Sequence, residues 1–167
     1  MGRDKALLEV DGRAMAGRVA EVLREAGAAP VVAVGGDGAA LRALGLDWWP
    51  DRFPGEGPLG GVLSAFEALA ERELVAVLAT DLPALTSAVV RRLLGSLGLH
   101  DAAVAATDRP EPLCSVWRRK ACEPVLTAAF DGGERAVHRA MAGLDLVLVA
   151  VDGHLLRNIN LPGDIGR

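Results

Sequence analysis

Val75-Ala76-Val77-Leu78-Ala79-Thr80-Asp81-Leu82-Pro83 decides the fold: an uncharged apolar run ends in a carboxylate, and a proline two residues on turns the chain away. A continuous apolar strand is the mark of a strand covered by helices on both faces. In such sheets ligands bind beyond the carboxyl ends of the strands, so an aspartate delivered there faces a pocket and not the core. Pro83 makes the corner short and stiff, which suits a divalent-metal ligand. The local sequence equally allows Asp81 to cap the helix beginning near Thr86, or to close a turn.

Outward from this strand, periodicity alternates. Residues 13–27 set Met15, Val19, Val22 and Leu23 opposite Arg18, Glu21, Arg24 and Glu25, a helix closed by Gly27. Pro30 to Val34 reads as a strand stopped by Gly35-Gly36, residues 38–44 as a short helix, 46–49 as a strand and 59–72 as a helix. Downstream come a helix over 86–97, strands over 102–106 and 112–117, helices over 118–130 and 134–142, and a strand over 144–151. Strand–helix alternation predicts an α/β fold with a mostly parallel sheet and right-handed crossovers, mixed in its second half. No repeat, low-complexity tract or linker divides residues 1–167, so one domain is expected.

Composition narrows the class. With 167 residues and 51% hydrophobic content the chain can bury one core, built from Ala, Val and Leu with three Phe and no Tyr. A net charge of −4, with Arg118-Arg119-Lys120 as the longest like-charge cluster, argues against a nucleic-acid surface. No apolar run nears the roughly 20 residues of a membrane span and no signal pattern opens the chain, so a cytoplasmic protein is expected. Cys114 and Cys122 lack ligand spacing with His100, His138 and His154, which argues against zinc and for two small buried hydrophobes.

Three further stretches hold chemistry-bearing residues. Met1-Gly2-Arg3-Asp4-Lys5 has the composition of a loop around a polyphosphate, or of a solvated arm. In Asp51-Arg52-Phe53-Pro54-Gly55-Glu56-Gly57-Pro58-Leu59-Gly60-Gly61, glycines enter a helix at about 1 kcal/mol each against Ala, which suggests that something approaches that backbone closely. An ordinary surface loop is the alternative. Asn158 and Asn160 sit at strand spacing, to face one ligand or to cap the turn starting at Pro162. Trp48 and Trp49 adjoin the glycine loop and read first as packing, second as a stacking platform.

Taken in order, MGRDKALL, PDRFPGEGPLGG, ATDLPALT, EPLCSVWRRK and NINLPGDI resemble the molybdenum cofactor guanylyltransferase (MobA) family of nucleotidyltransferases. The resemblance implies a Rossmann-like three-layer sandwich that transfers GMP from GTP to molybdenum-molybdopterin, releasing pyrophosphate with Mg²⁺ as cofactor. It implies that Lys5 contacts the GTP phosphates, Asp51 serves the guanine nucleotide site, and Asp81 binds Mg²⁺, with Lys5 and Asp81 as the catalytic pair. Gly57, Pro58, Leu59, Gly60 and Gly61 would lie against the nucleotide, and Asn158 and Asn160 would line the substrate pocket. Proteins that insert or accept the finished cofactor would be partners.

The resemblance also implies a strand and a Leu-Ala-Gly-Gly loop directly before Met1. These are absent from the 167 residues, so an N-terminally truncated domain is expected, missing a central strand at about 1–3 kcal/mol for each buried group left unpaired. Val31 to Gly36 lacks the family's frequent Asn, and Glu111 stands where the family more often has a polar or His side chain. Two rival readings remain: a cytidylyltransferase of the same fold, and a non-catalytic nucleotide-binding fragment without the phosphate loop.

Overall fold

A computed structural model describes residues 5–158. It opens with one 3-10 turn, Lys5–Leu7, and a hairpin of β1 (Glu9–Val10) and β2 (Arg13–Ala14). Asp11 and Gly12 take φ of 52° and 74°, the paired left-handed conformations that match a two-residue turn to the twist of its strands. There follow α1 (Met15–Glu25), β3 (Val32–Val34), α2 (Gly38–Ala43), β4 (Asp47–Trp49) and α3 (Pro58–Ala68). Next are β5 (Leu74–Leu78), α4 (Ser87–Ser96), β6 (Ala102–Ala106), β7 (Pro110–Arg118), α5 (Arg119–Asp131), α6 (Val137–Ala140) and β8 (Leu146–Ala150).

The larger sheet has strand order β5-β7-β6-β8. β7 is antiparallel to both β5 and β6, and β6 is parallel to β8. Three of the four strands therefore point one way and β7 alone runs against them. The reversal follows from the connection, because residues 107–109 allow a hairpin and not a helical crossover. β3 and β4 form a separate parallel pair.

Alternation along β6 divides the core. Ala102 and Val104 face Val62 and Phe66 of α3 and Leu126 and Phe130 of α5, while Ala103 and Ala105 face Val89 and Leu93 of α4 and Leu97 just after it. Helices thus cover both faces of the sheet, the three-layer arrangement expected of alternating elements. Trp117 is wholly buried on the first face, edge-on to Phe66 at 6.2 Å, with its indole N–H donating to Ser115 Oγ at 2.6 Å. Cys114 and Cys122 are free and buried, and burial pushes both thiols up to about 12, as inert small hydrophobes.

Two predicted helices shorten. The one expected over 59–72 ends at Ala68, and that over 134–142 is one α-turn followed by the 3-10 turn Met141–Gly143. β3 and β5 do not pair with each other. Between them lies an apolar slot of about 510 Å³, lined by both strands and by residues of α1, α3 and α4. No helix among the described residues is long and apolar enough to cross a membrane.

Candidate active site at the carboxyl ends of the strands

Asp81 stands where the apolar run delivers it. The Ala79 N–H donates to Leu113 O at 2.7 Å, prolonging the β5–β7 pairing by one residue, so Thr80 and Asp81 are the first positions beyond the sheet. Asp81 does not cap the next helix: that position belongs to Thr86, and the intervening turn is closed by Leu85 N–H to Leu82 O at 3.2 Å. The Asp81 residue is half-buried, and its carboxylate has no hydrogen-bond or ion-pair partner among the described residues. No group of three His, Cys, Asp or Glu side chains able to hold a metal occurs among those residues. A lone carboxylate nonetheless fits a Mg²⁺ ion, which commonly takes one or two protein carboxylates and fills its shell with substrate phosphates and water.

Asp51 follows β4 and is firmly held. Its Oδ1 accepts from Phe53 N–H and from the Ser64 hydroxyl, both at 2.9 Å, while Ser64 Oγ accepts from Arg52 N–H at 2.9 Å. Ser64 is fully buried on α3 and lies 3.0 Å from Gly60 O; its single proton goes to the charged acceptor. At the end of β3, a Cβ on Gly35 would meet Asp51 Cβ at 3.2 Å. The Gly35 N–H donates to Trp49 O at 3.0 Å, and its carbonyl accepts from Trp48 Nε1 at 2.8 Å. The carboxyl ends of β3 and β4 are therefore stitched to each other and to the first turns of α3.

The glycine loop leads into the first turns of α3. The close approach expected for its backbone is made at two positions by the protein itself. A Cβ at Gly60 would sit 2.8 Å from Phe53 Cβ, and one at Gly57, whose φ is 82°, would sit 3.3 Å from Arg135 Cβ and O. The Leu59 N–H donates to Arg135 O at 3.2 Å, and the Arg135 guanidinium bonds Glu56 at 2.6 Å and Phe130 O at 2.9 Å while lying 4.2 Å over the Phe130 ring. Leu59 and Gly60 are buried. Gly57 and Pro58 are exposed, and Gly61 meets nothing within 4 Å at its Cβ position.

Lys5 is exposed at the start of the first 3-10 turn. Ala6 and Leu7 anchor that turn against Leu41, Leu46, Val31 and Ala33. Arg18 links the segment after Lys5 to the corner after Asp81, donating to Val10 O and to Pro83 O at 3.2 Å each and pairing with Asp11 at 3.2 Å. Asn158 is exposed; Asn160 lies outside the described residues. Glu111 pairs with Arg109 at 3.1 Å. Trp48 is half-buried beneath the Arg42 guanidinium at 4.3 Å, a packing role, and Trp49 is 39% exposed.

Ser64, Arg135 and Arg18 escaped the sequence reading. A hydroxyl set among the apolar residues of α3 was a signal for Ser64, because a buried polar group demands a partner. Arg135 and Arg18 act across long sequence separations and left no local trace.

The family model described as "MobA-like NTP transferase domain" matches residues 1–145. The chain is 37% identical over 147 residues to the "Probable molybdenum cofactor guanylyltransferase" of Opitutus terrae, spanning 86% of this chain and 72% of that protein. It is 32% identical over 173 residues to the "Molybdenum cofactor guanylyltransferase" of Rhodobacter capsulatus, spanning 100% of this chain and 87% of that one. Among solved structures, molybdopterin-guanine dinucleotide biosynthesis protein A from Archaeoglobus fulgidus shares the fold with a TM-score of 0.76 at 23% identity, over 98% of this chain and 88% of that one. A family match that takes in β1 to β7, with this identity along the rest, makes the chain a member of the MobA-like NTP transferase family.

Proposed function

We propose that the chain transfers GMP from GTP to the terminal phosphate of molybdenum-molybdopterin, forming the guanine dinucleotide form of the cofactor and releasing pyrophosphate. The observation that carries this reading is the identity of 32–37%, extending along the chain, to proteins named molybdenum cofactor guanylyltransferase. The strand-tip carboxylate and the stitched ends of β3 and β4 support it. A phosphate oxygen of the pterin attacks the α-phosphorus, the bond from that phosphorus to the bridging oxygen breaks, and pyrophosphate leaves with the electron pair. An ionised phosphate nucleophile needs little help from a base, so the work falls to charge and positioning.

In this reading Lys5 neutralises the triphosphate, and Asp81 holds the divalent cation, Mg²⁺, which supplies charge neutralisation at the phosphate oxygens when bound. Asp51, locked by Ser64, positions the nucleotide beside Gly35 and the exposed Gly57-Pro58 turn. Asn158 and Asn160 contribute to the pterin side. The reaction belongs in the cytoplasm, and cofactor-inserting and acceptor proteins take its product.

The test compares GTP with CTP, each with Mg²⁺, in thermal unfolding of the protein, followed by product analysis with molybdenum-molybdopterin. GTP raises the midpoint more, because a ligand that binds only the folded state stabilises it by mass action. Equal or greater stabilisation by CTP, with transfer of CMP, would replace this reading with the cytidylyl one. Binding of GTP without any transfer would leave a nucleotide-binding fragment.

A further inference from the structure

Arg18 lies in the first turn of α1 and spends most of its guanidinium on backbone carbonyls. Its Nη1 donates to Val10 O and to Asp11 Oδ2, and its Nη2 to Pro83 O, at 3.2 Å each. Val10 and Asp11 belong to the hairpin that follows Lys5, and that segment is itself tied down: Leu8 N–H donates to Lys5 O at 3.1 Å, and Met15 N–H to Leu8 O at 2.9 Å. Pro83 stands two residues beyond Asp81. One planar group therefore bridges the segment that bears Lys5 and the corner that bears Asp81.

The corner has few other restraints. It is anchored at its start by Ala79 N–H to Leu113 O, and at its end by Leu82 and Leu85, buried with Val89 and Leu93 of α4. Between α1 and the corner runs a crevice of about 170 Å³, walled by Glu21 and Val22 on one side and by Leu82, Pro83 and Leu85 on the other. Among the described residues the bond from Arg18 to Pro83 O is the one hydrogen bond that crosses it. The pair of Arg18 with the exposed Asp11 adds little, as surface ion pairs do, so the carbonyl contacts are what this side chain supplies. A lysine carries the same charge but has no rigid fork to reach two carbonyls in different directions. We infer that Arg18 is a positioning residue: its bonds are all within the protein, and they fix the Asp81 corner at the distance from the Lys5 segment that one metal-bound triphosphate requires. This rests on the proposed role of Asp81 as ligand of the divalent cation. Loosening the outer support of a ligating carboxylate lowers metal affinity by about 10- to 100-fold.

The test measures GTP affinity by calorimetry with and without Mg²⁺, so that the gain on adding metal reports the cation site without any turnover, and follows amide exchange of the same proteins without ligand. Arg18→Lys cuts the Mg²⁺ gain by about 10-fold and leaves metal-free GTP affinity within about twofold of native. The same variant speeds exchange by about 10-fold at Leu85, whose N–H closes the corner on Leu82 O. Asp11→Asn removes the ion pair, keeps both carbonyl contacts and changes neither reading. Mg²⁺ that adds nothing to GTP binding in the native chain, or as much in Asp81→Asn, would remove the metal role of Asp81 and the inference with it. Where that role stands, a full Mg²⁺ gain in Arg18→Lys or unchanged exchange at Leu85 overturns the inference alone. An equal loss of metal-free GTP affinity would make Arg18 a brace of the fold only, and a matching loss in Asp11→Asn would assign the effect to the ion pair; either overturns it.

Discussion

Gly60 and Gly61 are neighbours in the first turns of α3 and are glycines for opposite reasons. A methyl at position 60 would lie 2.8 Å from Phe53 Cβ, whereas one at 61 meets nothing within 4 Å. Gly60→Ala therefore destabilises by about 1–3 kcal/mol through overpacking, and Gly61→Ala stabilises by up to about 1 kcal/mol through helix propensity; urea unfolding of the two variants checks both signs. Ser64→Ala removes the hydroxyl that serves both Asp51 and the Arg52 N–H. It costs about 1–3 kcal/mol in the same assay, the range for leaving buried polar groups unsatisfied. Asp81→Asn keeps the volume of the side chain and removes its charge, so metal-dependent turnover disappears while the melting temperature holds. Turnover that survives in Asp81→Asn would remove the metal role. The position of Asp81 was legible because an apolar run points it outward. The reason for Gly60 was not, because Phe53 reaches it through a loop whose path no local pattern specifies.

Among elements, the start of α6 carries the clearest titration. Glu134 accepts from Arg139 Nε at 2.6 Å and from the backbone N–H groups of Ala136 at 2.8 Å and Arg135 at 2.7 Å. The Arg139 hydrogen bond foremost, then the backbone donors, hold its carboxyl at about 2 against an ordinary 4.5. A carboxyl depressed in the folded state adds stability that is complete above the unfolded value and is lost as pH falls from 4.5 towards 2. The urea midpoint of the native protein therefore falls more steeply across that window than that of Glu134→Gln; parallel profiles would show that Glu134 carries no linkage. Element types were readable from short apolar runs against period 3.6, as in Ala102–Ala106 and Met15–Glu25. The direction of β7 was less so, since an apolar strand looks alike in both orientations and only the short 107–109 connection reveals the hairpin. The helix expected over 134–142 shortened because Glu134 and Arg135 are engaged with their neighbours before the helix can begin.

At the scale of the whole molecule, two cores sandwich one sheet, and both cysteines lie inside them. Thiols raised to about 12 by burial remain protonated at pH 8 and shielded from reagents. Alkylation at that pH therefore proceeds only in denaturant, and labelling of the native chain would contradict the packing described for Cys114 and Cys122. The layered architecture was legible because the order of elements nearly dictates it. The slot was not legible, since pairing partners are a property of the assembled sheet and not of any one segment. One feature of that assembly supplies its own reporter. Trp117 is sealed in the core, whereas Trp48 hydrogen-bonds the Gly35 carbonyl and Trp49 looks outward near the same strand ends. Intrinsic emission thus separates by colour into a blue component that reddens on unfolding and a redder one that answers to occupancy at the rim. A nucleotide titration can accordingly be followed by light, with no dye attached.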